Sequence, residues 1–172
     1  MEKLTKYVYN ELSKYKNLYN EPIGPCYFGY VVHASEYNFR VATPDGRKSD
    51  EALSCTFGSD MGRDEKGPAA LLKSASCFDH TYATGGLAVN FTINKALFKD
   101  EEMLEQLLVL IKAYFEMGGM HLQFNFISKK ELIEAQKNPE LYKNLVVRVA
   151  GFAAKFVEQL PSIQNQIIAR IK

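Results

Sequence analysis

From Gly67 onward the apolar residues change period repeatedly, and most of the changes fall on a Gly, a Pro or a capping Asp or Ser. This alternation limits the fold more than any other feature of the chain. Gly67-Pro68 opens a helix that runs to about Cys77, with Pro at the tolerated first turn. Gly85-Gly86 is a break, and Leu87 to Ile93 reads as a strand. Asp100 caps a long helix that carries Leu104, Leu107, Leu108, Ile111 and Phe115 on one face, and Gly118-Gly119 stops it. That stripe is expected to be core. His121 to Ile127 alternates like a strand, and Ser128-Lys129-Lys130-Glu131 is a capping box for the next helix. Asn138-Pro139 starts a short helical segment, and Leu145 to Val149 is a β-rich run ended by Ala150-Gly151. From Phe152 the pattern predicts helix again, with Phe156, Val157 and Leu160 on one face. After Pro161 a last helix carries Ile163, Ile167, Ile168 and Ile171. Strands separated by helices argue an α/β arrangement.

Before Gly67 the signals are sparser. Residues 2–19 predict a helix, with Leu4, Val8, Leu12 and Tyr15 at helical spacing and Asn20-Glu21-Pro22 as its end. Tyr27 to Val32 predicts a strand. Residues 43–67 form a long Gly-, Asp- and Ser-rich loop that includes the turn signal Pro44-Asp45-Gly46.

Composition removes several function classes. With 47% hydrophobic and 24% charged residues, disorder is not expected. A net charge of +1 leaves no footprint for nucleic acid or an anionic membrane. No apolar run reaches membrane-spanning length, and the start Met1-Glu2-Lys3-Leu4 has no secretory character. The three cysteines, Cys26, Cys55 and Cys77, are odd in number and widely spaced, which predicts neither a disulfide framework nor a zinc site and suits a reducing cytoplasm. His33, His80 and His121 show no ligand spacing, Asp60, Asp64 and Glu65 lack calcium-loop order, and Gly58 to Gly67 is too charged for a phosphate loop, so no metal and no bound cofactor are expected. His121 is expected to be a satisfied core histidine, Cys77 a core residue, and Cys26 and Cys55 small hydrophobes.

The informative stretch is Arg148-Val149-Ala150-Gly151-Phe152-Ala153-Ala154-Lys155-Phe156. It resembles the signature of the glycyl radical enzymes, an Arg-Val-x-Gly-Tyr/Phe segment followed four residues later by Phe. The surroundings resemble the family too: Ala42-Thr43-Pro44-Asp45-Gly46-Arg47, Gly67-Pro68, Lys73-Ser74, Gln123-Phe124-Asn125, Ala135 to Glu140, Tyr142, Gln164, Ile167-Ile168 and Arg170. The resemblance covers roughly residues 40 to 172 and is to the dehydratase and eliminase branch rather than to pyruvate formate-lyase itself. Glycine suits such chemistry. A Cα radical delocalises into the flanking amide nitrogen and carbonyl only if the centre is flat, and glycine has no Cβ to crowd it. Val147, Val149, Ala150, Phe152 and Phe156 suit a loop pushed into a dry interior.

The resemblance implies that Gly151 bears the radical and that Arg148, Val149, Ala150, Phe152 and Phe156 frame it. It implies an anaerobic lyase chemistry in which a separate activating enzyme, using S-adenosylmethionine and an iron–sulfur cluster, removes a hydrogen atom from the glycine. The radical then oxidises a cysteine to a thiyl, which attacks the substrate. As to fold, it implies the C-terminal portion of an α/β barrel with the glycine loop and terminal helices: residues 1–100 a partial barrel region with the N-terminal helix and long loop, residues 101–172 the glycyl radical domain. The family's cysteine loop lies far before its glycine, and the contexts of Cys26 and Cys55 do not match it. The chain is thus expected to work with a larger glycyl radical subunit that supplies the cysteine, as a spare part, a split-enzyme half or a truncated piece, with a homo-oligomer as a further expectation. The alternative is a non-catalytic relic domain that acts only in protein–protein interaction.

Overall fold

The computed structural model describes residues 1–28, 41–44, 46–49, 51, 54, 57–58, 65–95 and 100–171. The expectations placed on residues 29–32 of the first strand and on His33, Asp45, Cys55, Asp60 and Asp64 lie outside the described residues.

The N-terminal helix α1 spans Glu2–Leu12 and ends well before the expected residue 19. The reason is local. Asn17 Oδ1 accepts the N–H groups of Tyr19 at 2.9 Å and Glu21 at 3.0 Å, and the Asn17 N–H donates to the Glu21 carbonyl at 2.9 Å. A short polar side chain here offers the backbone partners that compete with helix. Asn20 takes φ 66, which asparagine tolerates, and Lys16 pairs with Pro22 in an antiparallel bridge. Within α1 only Thr5 is buried; Val8 and Leu12 are half-buried while Leu4, and Tyr15 beyond the helix, are exposed, so the anticipated apolar face packs only in part.

The centre of the fold is a βαβ unit. Strand β1 (Asn90–Asn94) and strand β2 (Gln123–Ile127) pair in parallel, Asn90 opposite Gln123 through Asn94 opposite Ile127. Helix α3 (Glu101–Glu116) makes the crossover that a parallel pair requires. Along β1 burial alternates: Phe91 and Ile93 enter the core, and Asn90, Thr92 and Asn94 face the other way. The Asp100 Oδ1 caps α3 by accepting the Met103 N–H at 3.0 Å, and Gly118 stops it at φ +91.

The buried face of α3 differs from the expected stripe. Leu107 and Tyr114 are buried, while Leu104, Leu108 and Phe115 are exposed and Ile111 is half-buried. The face that packs runs Met103, Leu107, Leu110 and Tyr114, rotated by about one residue. Tyr114 is the residue that sets this rotation. Its ring lies where a Cβ on Gly119 would come within 2.3 Å, and its hydroxyl donates to the His121 carbonyl at 3.1 Å. Burial pushes the Tyr114 phenol up to about 12. Around it Leu72 and Ala75 of helix α2 (Pro68–Ala75), with Phe78, Ala83, Leu87 and Val89, form one apolar cluster. His80 is the satisfied core histidine of this cluster: one ring nitrogen meets the Ala75 carbonyl at 2.8 Å and the other the Met120 N–H at 3.0 Å. Cys77 and Cys26 are exposed, contrary to the expectation of buried thiols; Cys77 sits just past the end of α2, beyond its packed face.

The second apolar cluster gathers Ile127, Leu132, Ala135, Val147, Val149, Phe156, Ile163, Ile167 and Ile171. Helix α4 (Lys129–Lys137) enters it behind the expected cap, with Ser128 Oγ accepting the Glu131 N–H at 3.2 Å. Helix α5 (Pro161–Ala169) closes it. Between them the chain departs from expectation. Residues 153–155 are not helical but form strand β4 (Ala153–Lys155), antiparallel to strand β3 (Val146–Arg148) with Arg148 opposite Ala153 and Val146 opposite Lys155. Helical order resumes only as a short 3-10 turn, Phe156–Glu158. The helix propensity of Ala-Ala-Lys is a weak preference, and pairing with β3 together with full burial of Phe156 overrides it. The α/β class therefore holds, and the strands of the described residues make two two-stranded sheets.

Phe156→Ala should lower unfolding stability by about 3–5 kcal/mol, because it empties a fully buried site. Ser128→Ala should cost only about 1 kcal/mol through the lost cap. Chemical denaturation of both variants checks the ranking.

Candidate functional site

The motif forms a hairpin tip. Beyond the Arg148–Ala153 pair, the Val149 N–H donates to the Phe152 carbonyl at 3.0 Å, which leaves Ala150 and Gly151 as the two tip residues. Val147, Val149, Ala150 and Phe156 are buried as expected. Gly151 and Phe152 are not: both are exposed, Phe152 with 47% of its surface open. The dry interior anticipated for the whole loop thus covers its base and stops at the glycine. The apolar core ends at Val149 and Ala150, and the chain turns outward through Gly151, Phe152 and Ala153 before it is fully buried again at Phe156.

Side chains from three different elements hold the base of this tip. Arg170, just past α5, donates through Nη1 to the Val149 carbonyl at 2.7 Å and through Nη2 to Gln166 Oε1 at 3.1 Å. Asn90, the first residue of β1, donates through Nδ2 to the Ala150 carbonyl at 2.8 Å. Asn125, buried in the middle of β2, accepts the Arg148 N–H at 3.4 Å. On the far side Gln164 Nε2 donates to the carbonyls of Phe156 and Gln159, each at 3.1 Å. Buried carbonyls left unpaired would be costly, so these contacts fix where the tip sits. Gly151 itself makes no hydrogen bond among the described residues.

Glycine at position 151 has no local structural cause. Gly67, Gly86 and Gly118 adopt positive φ, and Gly119 faces the Tyr114 ring, but Gly151 has neither constraint. Its φ lies outside the left-handed region, and a Cβ built on it meets nothing within 4 Å. A side chain would fit there.

The framing residues resolve into distinct parts. Val149 and Ala150 present the held carbonyls, Phe156 anchors the second strand, and the Arg148 cation acts electrostatically on His121. The Arg148 Nε is buried without a hydrogen-bond partner. His121 accepts the Val89 N–H on Nδ1 at 3.2 Å, so in the neutral ring the proton sits on Nε2. Burial first, and then the Arg148 cation, hold the His121 pKa below its ordinary value. The sequence signature pointed to Arg148 and Gly151 but not to Asn90. Asn90 reads as a strand residue, and its role depends on a partner sixty positions away that only the fold supplies.

The family model described as "Glycine radical" matches residues 58–157. The trans-4-hydroxy-L-proline dehydratase of Clostridioides difficile is 38% identical over 144 residues, which is 84% of this chain and 17% of that protein. The glycerol-bound B12-independent glycerol dehydratase from Clostridium butyricum is 39% identical with a TM-score of 0.84, covering 95% of this chain and 21% of that one. A structure concerned with 1,2-propanediol dehydration in Roseburia inulinivorans is 31% identical with a TM-score of 0.91, covering 99% of this chain and 22% of its own. The chain spans about a fifth of the length of the proteins it matches.

The lowered His121 pKa has a stability consequence. The unfolded chain takes up this proton near the ordinary value of about 6.5, before the folded chain does. Stability should therefore fall as pH drops from about 6.5 toward the depressed folded value. His121→Gln should flatten that part of the profile relative to wild type, as read from denaturation midpoints across pH 5–8. Equal slopes in the two proteins would contradict the assignment.

Proposed function

The chain belongs to the glycyl radical family, and on that premise we propose that Gly151 stores a backbone radical for bond-cleaving chemistry of the dehydratase type. One observation supports this most: glycine occupies a tip where neither φ nor space demands it. A purely structural turn glycine would be kept by positive φ or close packing. A radical centre needs the missing Cβ for a different reason. Loss of a hydrogen atom flattens the Cα, and the unpaired electron then spreads into the Gly151 nitrogen on one side and the Gly151 carbonyl on the other.

The chemistry divides between this chain and others. An activating enzyme, using S-adenosylmethionine and an iron–sulfur cluster, takes the hydrogen atom from the Gly151 Cα. The radical is returned when a cysteine S–H of a larger glycyl radical subunit gives its hydrogen atom back to that carbon. The thiyl so formed abstracts a hydrogen atom from the substrate, the substrate radical loses water, and the product radical takes the hydrogen atom back from the cysteine S–H, which restores the thiyl. The exposure of Gly151 and Phe152 favours a partner. A carbon radical open to oxygen is destroyed, so another surface must cover the tip under anaerobic, cytoplasmic conditions. In this reading residues 101–172 are the radical domain and residues 1–100 join the partner's barrel, and the substrate pocket lies on that partner. A dehydratase is favoured because the matched proteins from Clostridioides difficile and Clostridium butyricum are dehydratases.

Gly151→Ala tests the reading. Because a Cβ fits, unfolding stability should stay within about 1 kcal/mol of wild type or rise slightly. Under anaerobic activation with S-adenosylmethionine, wild type should give an electron paramagnetic resonance doublet from one α-hydrogen, and Gly151→Ala should give none. A wild-type chain that gives no doublet with activating enzyme and large subunit present would favour the interaction-only alternative.

A further inference from the structure

We propose that Asn90 is a positioning residue for the radical centre, acting through the Ala150–Gly151 peptide. The inference rests on the reading of Gly151 as the radical residue. The Ala150 carbonyl and the Gly151 nitrogen belong to one amide group, so whatever holds the oxygen orients the nitrogen. Asn90 Nδ2 donates to that oxygen at 2.8 Å. The nitrogen can share the unpaired electron only when its p orbital lies parallel to that of the Gly151 Cα. The tilt of this amide plane therefore sets how far the spin spreads.

The donor stands on a rigid support. Asn90 opens the β1 ladder opposite Gln123, and the next residue, Phe91, is buried in the core on the other face of the strand. A group held by a strand is placed more accurately than one held by a loop. The carbonyl it meets belongs to Ala150, which is buried, so the hydrogen bond has no ready replacement from water. Arg170 does not share the role. It holds the Val149 carbonyl, which lies one peptide further from Gly151 and whose amide does not include the Gly151 nitrogen. Gly151 has no hydrogen bond of its own among the described residues, which leaves the Asn90 contact as the nearest control on its nitrogen.

The test compares wild type with Asn90→Asp, which keeps the shape but faces an acceptor toward an acceptor, and with Asn90→Ala. Each chain, labelled with nitrogen-15 glycine, is combined with activating enzyme and large subunit and activated without oxygen. Exchange of the Val149 N–H, bonded across the hairpin to Phe152, reports separately whether the tip still closes. The proposal expects a changed α-hydrogen splitting and nitrogen coupling in both variants while Val149 exchange stays within about tenfold of wild type, the range one lost neutral hydrogen bond allows. Complete loss of the signal with Val149 still protected also supports it. Unchanged splitting and coupling would overturn the role of Asn90 and leave the radical reading intact. A lost signal with an opened hairpin would make Asn90 merely structural and overturn it too. A wild type without any doublet would sink the radical reading, and this inference with it.

Discussion

The arrangement depends on two successive peptide carbonyls each being held by a side chain from a distant part of the chain. Arg170 takes the Val149 oxygen and Asn90 takes the Ala150 oxygen. One donor follows the last helix and the other begins the central parallel strand. The hairpin tip is therefore placed by the whole core rather than by its own turn. A two-stranded hairpin has little stability alone, and this one gains its fixed position from α5, β1 and β2. The apolar cluster beneath it, with Ile127, Val147, Val149, Phe156, Ile163 and Ile167, supplies the burial that keeps the hairpin, α5 and the end of β2 together, while Phe91 and Ile93 of β1 pack in a cluster with Leu107.

This support ends at Gly151. Val149 and Ala150 just before the glycine are buried with their carbonyls bonded, while Gly151 and Phe152 lie open. In the proposed reading, this division suits a residue whose backbone is presented to other molecules and then protected by them. The apolar side chains Leu104, Leu108 and Phe115 on the outer face of α3 are open in the same way. In the proposed reading the larger subunit covers the glycine tip.

Much of the architecture was legible in the sequence because its signals are local. Asp100 and Ser128 cap their helices as their positions foretell, and Gly118 ends α3 at positive φ. What could not be read depends on distant partners. Residues 153–155 look helical until β3 pairs with them. The face of α3 is rotated because the Tyr114 ring needs the space beside Gly119, a contact that periodicity does not encode. The early end of α1 was visible in principle, since Asn17 sits where a side-chain turn can form, but apolar spacing through Tyr15 argued the other way. At the site, the motif pointed to Gly151, and only the fold could show that Asn90 bonds the neighbouring Ala150 carbonyl.

The central claim is that Gly151 carries the unpaired electron, and its most direct test is mass spectrometry of the chain after anaerobic activation and brief exposure to air. A backbone radical reacts with oxygen at its own carbon, so the account predicts two fragments that divide at residue 151, absent when activation is omitted. An activated chain that stays intact in air, or one that breaks elsewhere, would contradict it.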